Sequence, residues 1–391
     1  MIDEILALTR SHEQWRERCL NLIPSENVTS VAVRSLLSSE FGHRYTSRDK
    51  FYMGTRFTDE IEQTGEELAK KVFGADVADL RPLSGHIADL IVLASLTRPN
   101  DTIMCISARD GGYPGIWEHG APSFLQLKTV GYPFLKEKMN INIKKSIELI
   151  EKRKPRLVIF GDSLFLFPHP VKVLAKASRE VEAQVCYDGS HVLGLIAGKT
   201  FQDPLREGAS LLFGSTHKSF FGPQGGIILA DKEQGETIKK RIHPALVDNA
   251  HWNRIAALAA ALAEMKEFGQ EYATQVIKNA QKLAKTLAEY GFPVACADLG
   301  FTQSHQVYLN YGSFGSGARI AKILERANII TDCGVRLGTC EVTRRGMKQK
   351  EMVKIAEFIK RVVKDREQPS KIKLEIINFV KEFQDIKYCF K

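Results

Sequence analysis

Several short strand-like runs in the first two-thirds of the chain are apolar without strict alternation. They lie at 102–107 (TIMCIS), 156–161 (RLVIFG), 184–188 (QVCYD), 211–214 (LLFG) and 226–230 (GIILA). A strand with one wet face alternates, so a run that does not is covered on both faces. Segments of helical character separate these runs. That order predicts an α/β sandwich, a mostly parallel sheet between layers of helices.

The rest of the chain sets the boundaries. An N-terminal helix-like arm (1–30) precedes a large domain (31–270). Residues 253–268 are Ala-rich and free of Gly and Pro, which predicts a long helix joining two domains. Helical patterns at 275–290 and 317–327 flank strand-like 306–311 (QVYLNY) and 328–331 (NIIT), which gives a smaller α+β domain (271–391). A chain of 391 residues, 44% hydrophobic, is long enough to bury both cores.

Several function classes fall away on composition. The longest near-apolar stretch, 255–265 (IAALAAALAEM), is about half the roughly 20 residues that a membrane-spanning helix needs. The first residues carry acids early and lack a basic start followed by an apolar core, so the expected location is cytoplasmic. Seven scattered cysteines without a CxxC suit neither a disulfide framework nor a zinc site, and no metal is expected. The net charge of +9 favours anionic ligands. No RGG stretch or aromatic RNA-reading motif accompanies it, so nucleic acid is not the expected partner.

The chemistry is concentrated at 211–226, LLFGSTHKSFFGPQGG. There an apolar strand runs into Ser215, then His217 and Lys218, then a Gly-rich turn. Upstream, QVCYDGSH delivers Asp188 and His191 from the end of another apolar strand, where α/β sheets place ligand-binding residues. An acid and a lysine at two strand ends suit pyridoxal phosphate. The cofactor aldehyde needs an amine, and its ring nitrogen needs a carboxylate that keeps it protonated so that the ring can absorb electrons. A third element, 83–89 (LSGHIAD), is a Ser-Gly turn opening a helix whose free N–H groups suit a phosphate.

These segments resemble the serine hydroxymethyltransferase family of fold-type-I pyridoxal phosphate enzymes, over nearly the whole chain. NLIPSEN (21–27) is similar to the family's LIASEN, and KKVFGADVADLRPLSG (70–85) to its LFGA…NVQPHSG. STHKSFFGPQGG (215–226) is similar to its TTHK…GPRGG, and GVRLGTCEVTRRG (334–346) to its GIRxGTPAxTxRG. The resemblance implies a large αβα domain with a mixed, mostly parallel sheet and a smaller C-terminal α+β domain. It implies that Lys218 forms the Schiff base, that Asp188 pairs with the pyridine nitrogen and that His191 lies near the cofactor's phenolic oxygen. Ser84, Gly85 and His86 would hold the phosphate, Ser163 would contact the cofactor oxygen, and Tyr113 takes the place of the family's stacking histidine. Arg336 would bind the substrate carboxylate, helped by Ser25. Tyr45 and Tyr52 match tyrosines that reach a neighbouring subunit's site, which implies a homodimer with shared active sites.

The sequence also departs from the family pattern. Ser47 stands where the family has a glutamate near the hydroxymethyl group, and serine supplies no carboxylate at neutral pH. A pterin-binding loop is missing between Ile330 and Arg336, PALVDNA (244–250) replaces the family's PGGQGG turn, and Gln224 replaces an arginine. The electron sink, lysine and carboxylate clamp remain while the one-carbon acceptor apparatus does not. The expected reaction is reversible Cα–Cβ cleavage of a 3-hydroxy amino acid to glycine and an aldehyde, without ordinary tetrahydrofolate. His191, Tyr52 and His217 are each able to take the hydroxyl proton, and the sequence does not choose among them. The alternatives are a conventional hydroxymethyltransferase using folate or a modified pterin, a pyridoxal phosphate aminotransferase or lyase, and a non-catalytic paralogue acting by binding.

Overall fold

The computed structural model describes residues 1–46, 51–311 and 316–391, so Ser47 lies outside the described residues. The chain divides into two compact units, Val28–Ala273 with Cys389–Lys391, and Met1–Asn27 with Thr274–Tyr388.

A seven-stranded sheet forms the spine of the first unit. Its spatial order is Val77–Asp79, Gly226–Ala230, Leu211–Ser215, Gln184–Asp188, Leu157–Phe160, Thr102–Cys105 and Lys128–Gly131. Every pairing from Lys128–Gly131 across to Leu211–Ser215 is parallel, whereas Gly226–Ala230 runs antiparallel to both of its neighbours. The central strands Leu157–Phe160, Leu211–Ser215 and Gly226–Ala230 are buried at every position, the condition that removed alternation from their sequences. The two strands the sequence did not disclose are the edges. Val77–Asp79 is short, and Lys128–Gly131 (KTVG) has no buried residue.

The Ala-rich helix is longer than its sequence suggests. Residues 253–268 and 275–290 read as separate helical patterns, yet Trp252–Glu289 is a single helix. Gly269 does not interrupt it, because packing holds the backbone there: a Cβ on Gly198 would stand 2.4 Å from the Gly269 carbonyl oxygen. Tertiary contact outweighs the roughly 1 kcal/mol helical cost of glycine.

In the second unit, Leu20–Asn21 pairs in parallel with Ile329–Ile330, and Gln306–Tyr308 pairs antiparallel with Arg336–Gly338. The N-terminal segment set apart in the sequence as an arm therefore contributes a strand here. A contiguous apolar core, including Leu283, Leu324, Leu337, Ile355, Phe358 and Ile376, joins these strands to the helices Gly317–Arg326, Gln349–Val363 and Pro369–Val380. Each such side chain contributes about 1.5–3 kcal/mol by leaving water. Helix Ile2–Arg16, by contrast, has no buried residue. No helix among the described residues is long and apolar enough to cross a membrane.

Candidate active site

Parallel strands carry their chemistry at their C-terminal ends. Here Phe160 is followed by Gly161, Asp162 and Ser163; Gln184–Asp188 ends on Asp188 and leads to Ser190 and His191; Leu211–Ser215 leads to His217 and Lys218. Asp162, Ser163, Asp188, Ser190, His191, Ser215, His217 and Lys218 line a single cavity of about 230 Å³, together with Ser84, Gly85, His86, Asp89 and Tyr113.

Local hydrogen bonds explain how each group is presented. The loop after Ser215 closes on itself, with Thr216 Oγ1 donating to the Pro223 carbonyl at 2.7 Å and the Gly222 N–H to the Thr216 carbonyl at 2.8 Å. His217 and Lys218 stand on that short closed turn. Asp188 is oriented by the Ser190 N–H, which donates to Oδ1 at 2.9 Å, while Ser190 Oγ accepts the Ser215 N–H at 3.0 Å. One serine thus couples the acid-bearing strand to the lysine-bearing strand.

Helix Gly85–Leu96 points its N-terminus into the cavity. Ser84 caps it, accepting the Ile87 N–H at 3.1 Å. A Cβ on Gly85 would stand only 2.1 Å from Ser215 Oγ, so no side chain fits between the helix start and the strand end. What remains there is backbone N–H and serine hydroxyl, the chemistry of an anion site. Tyr113 stands against His86, its hydroxyl 3.4 Å from Nδ1 and the rings edge-on. The Ser163 N–H bonds the Gly111 carbonyl at 2.9 Å and ties the Tyr113 loop to the neighbouring strand end.

The cavity is electrostatically unusual. Burial, opposed by no partner and reinforced by the adjacent Lys218 charge, pushes His217 down to about 4, and its Nδ1 is buried without a hydrogen bond among the described residues. His217 is therefore neutral at pH 7. Burial chiefly, then Asp188, raises Asp89 well above the carboxylate range against an opposing Lys218. Burial, followed by Asp110 and Asp188, does the same to Asp162. Burial and the nearby Asp89 and Asp188 also raise the Tyr113 phenol.

Of the residues singled out in sequence, Ser84, Gly85, His86, Tyr113, Ser163, Asp188, His191, Ser215, His217 and Lys218 come together in this cavity. Tyr45 and Tyr52 do not line it. They are exposed and pack edge-on with centroids 5.6 Å apart. Arg336 and Ser25 belong to the second unit. There the Arg336 guanidinium holds Asp332 at 3.0 Å, and the Gly338 N–H donates to the Leu22 carbonyl at 2.7 Å. A Cβ on Gly338 would meet Pro24 Cα at 2.5 Å, so the segment bearing Ser25 lies across the strand bearing Arg336.

Sequence reasoning missed Asp89, Asp162 and Ser190. Asp89 carried a usable signal, since it lies four residues after Gly85 on one helical face. Asp162 immediately precedes Ser163 at a strand end, where any polar residue merits attention. Among the described residues, no group of three or more His, Cys, Asp or Glu is placed to hold a metal ion.

Comparison with known proteins gives this geometry its setting. The family model for serine hydroxymethyltransferase matches residues 1–359. The serine hydroxymethyltransferase of Methanocaldococcus jannaschii is 46% identical over 403 aligned positions, covering 97% of this chain and 94% of that protein. That of Thermococcus kodakarensis is 43% identical, covering 99% and 96%. Among solved structures, the L-threonine transaldolase from Pseudomonas fluorescens, in its internal aldimine state, superposes with a TM-score of 0.91 at 28% identity, covering 100% of this chain and 93% of that one. The fold is that of the fold-type-I pyridoxal phosphate enzymes. The chain belongs to the serine hydroxymethyltransferase family of enzymes.

Proposed function

We propose that this enzyme uses pyridoxal phosphate to cleave, reversibly, the Cα–Cβ bond of a 3-hydroxy amino acid, giving glycine and an aldehyde without ordinary tetrahydrofolate as partner. The observation that carries the reading is one cavity that gathers an amine, an oriented carboxylate and a capped helix N-terminus. The residues fit the cofactor: the site at Gly85 excludes any side chain and offers N–H groups with Ser84 and Ser215 to a phosphate, and Asp188 suits a ring nitrogen. When bound, the cofactor supplies an electron sink for the pair released as the Cα–Cβ bond breaks.

The chain's own residues do the rest. Lys218 would supply the amine, and Asp188, held by the Ser190 N–H, would pair with the ring nitrogen. Tyr113, with His86 beside it, would cover the ring face. Arg336 takes the substrate carboxylate with help from Ser25, exchanging or sharing its present partner Asp332. His191 and His217, which line the cavity, are favoured over exposed Tyr52 as acceptor of the hydroxyl proton.

The name of the solved relative, a threonine transaldolase, supports chemistry at this bond, and the names of the curated relatives keep a second reading alive, a hydroxymethyltransferase with folate or a modified pterin. The assembly belongs to the same proposal. Exposed Val31, Tyr45, Phe51, Met53 and Phe57 are the kind of surface a homodimer with shared sites covers, and sedimentation at micromolar concentration tests it. The enzyme is expected in the cytoplasm, which fractionation tests.

Incubating the cofactor-loaded enzyme with threonine, 3-phenylserine and serine, with and without tetrahydrofolate, decides between the readings. Glycine and free aldehyde formed without any pterin support the aldolase reaction. Turnover confined to serine and dependent on the pterin sinks it in favour of the transferase.

A further inference from the structure

Beside Asp188 the cavity wall holds a second carboxyl with an unusual neighbour. Phe160 and Tyr187 are register partners, so the following residues Gly161 and Asp188 lie side by side. Gly161 adopts φ +124°, and a Cβ there would stand 2.2 Å from the Asp188 carbonyl oxygen, a crossing open only to glycine. That crossing sets Asp162 in the wall, 5% exposed.

Asp162 Oδ2 lies 3.5 Å from His169 Nε2, and both side chains are 1% exposed. Neither atom has a hydrogen-bond partner among the described residues, and each is the other's polar neighbour. The imidazole is held firmly. Phe165 stacks on it at 4.4 Å, the His169 N–H donates to Gln202 Oε1, and Gln202 Nε2 donates to the His169 carbonyl.

Its tautomer follows from its other neighbour. His169 Nδ1 is 3.2 Å from Asn140 Oδ1. Asn140 cannot turn over, because its Nδ2 donates to the Pro168 carbonyl at 2.9 Å and its Oδ1 accepts the Ile141 N–H at 2.8 Å. Facing a fixed acceptor, Nδ1 carries the hydrogen, and a neutral ring then presents a bare lone pair on Nε2 toward Asp162. Two acceptors cannot face each other in a dry wall, so a proton lies between them.

We propose that Asp162 is an uncharged carboxylic acid whose O–H is directed at His169 Nε2, and that it acts as a positioning residue, leaving Asp188 as the charged carboxyl beside it. The groups facing Asp162 agree. Burial lowers His169 to about 3 and raises Cys105 and Tyr187, so none of the three brings a charge. The two anions that act on it are Asp188 and Asp110, the latter occupied by the Ser107 hydroxyl at 2.7 Å with Lys136 at 3.9 Å. Each disfavours a further negative charge at Asp162, as burial does. The chemical consequence rests on the cofactor reading above: a pocket for a phosphate-bearing ring tolerates one carboxylate beneath the ring, and a second would repel the phosphate and compete for the ring-nitrogen proton.

Asn and Leu at this position separate the neutral acid from a charged one. In Asp162→Asn the amide N–H donates to Nε2 as the acid O–H does, whereas Asp162→Leu keeps bulk and removes the donor. We expect Leu to weaken pyridoxal phosphate binding about tenfold or more, and Asn to restore it to within about threefold. In the Asn variant the pH midpoint of the holoenzyme's visible band should stay in place. A fall in that midpoint of about one unit or more on substituting Asn would overturn the proposal, since only loss of a charge produces it. Infrared spectra of the cofactor-free protein at pH 8 give a second test, which needs no cofactor and no Leu variant. A carboxylic-acid carbonyl component present in the native protein and lost in Asp162→Asn, beyond what Asp89 contributes to both, is expected, and identical carbonyl bands in the two proteins contradict the proposal. Failure of both proteins to bind pyridoxal phosphate while that band persists would remove the cofactor reading and leave the proton where we place it.

Discussion

The two units differ in where their unpaired buried polar atoms lie, scattered in one and partly gathered around a cavity in the other. In the unit Met1–Asn27 with Thr274–Tyr388 buried polar groups are mostly paired. Glu341 accepts from Asn21 Nδ2 at 2.8 Å with Arg345 at 3.9 Å, Asn279 Nδ2 donates to Thr343 Oγ1 and to the Met347 carbonyl, and the fully buried Arg344 donates to the Lys387 and Tyr388 carbonyls. Around the cavity in Val28–Ala273, Asp89 Oδ1, both Asp162 oxygens and His217 Nδ1 lack hydrogen bonds among the described residues. An unpaired buried polar atom costs about 1–3 kcal/mol. Such atoms occur in both units, and four of them gather around one cavity, as at a ligand site.

Four substitutions break or sharpen that contrast. Lys218→Ala should have the largest effect, lowering turnover by about a thousandfold or more and abolishing the cofactor's lysine-dependent absorption, with little change in the urea midpoint. Arg344→Met should do the opposite. It strips two carbonyls of a charged donor and should lower unfolding free energy by about 3 kcal/mol in urea melts, while the folded enzyme keeps its cofactor affinity.

The third comparison is one of slope. Asp162 is raised above its ordinary 3.8, so in the folded protein it keeps a proton that the unfolded chain gives up. Its stabilising share is therefore complete below 3.8 and is lost as pH rises through the raised value. Native stability, taken relative to Asp162→Asn, should fall by about 1.4 kcal/mol per pH unit between 3.8 and the raised value and level off beyond it, readable from urea melts at pH 5, 6 and 7. A flat difference would return Asp162 to the ordinary carboxylates. The smallest change is expected from Glu341→Gln, at about 1 kcal/mol, because the amide oxygen still accepts from Asn21 and loses only the attraction of Arg345 and Arg16. A loss of cofactor binding in that variant would blur the division between the two units.

Much of this was legible in the sequence because strand burial writes itself plainly. Strands Gln184–Asp188 and Gly226–Ala230 begin and end where their apolar runs do, and the polar residues that follow the strands gather in the cavity. The edge strands were not legible, since a three-residue strand and one without a buried position leave no pattern. Nor was the continuity of Trp252–Glu289, which a contact between Gly198 and Gly269 maintains from outside the helix. Asp162 was hidden for a different reason. Its neighbour His169 is 7 residues away and Asn140, which faces the other side of that imidazole, is 22 away, and only the fold brings the three into line.

The most direct test of the account is exchange of the glycine α-proton in heavy water, followed by NMR on the cofactor-loaded enzyme with no pterin present, beside Lys218→Ala. The account requires rapid exchange in the native enzyme and none above background in the variant. Equal exchange in both, or none in the native enzyme under these conditions, would contradict the assignment of this cavity as a pterin-independent site for chemistry at Cα.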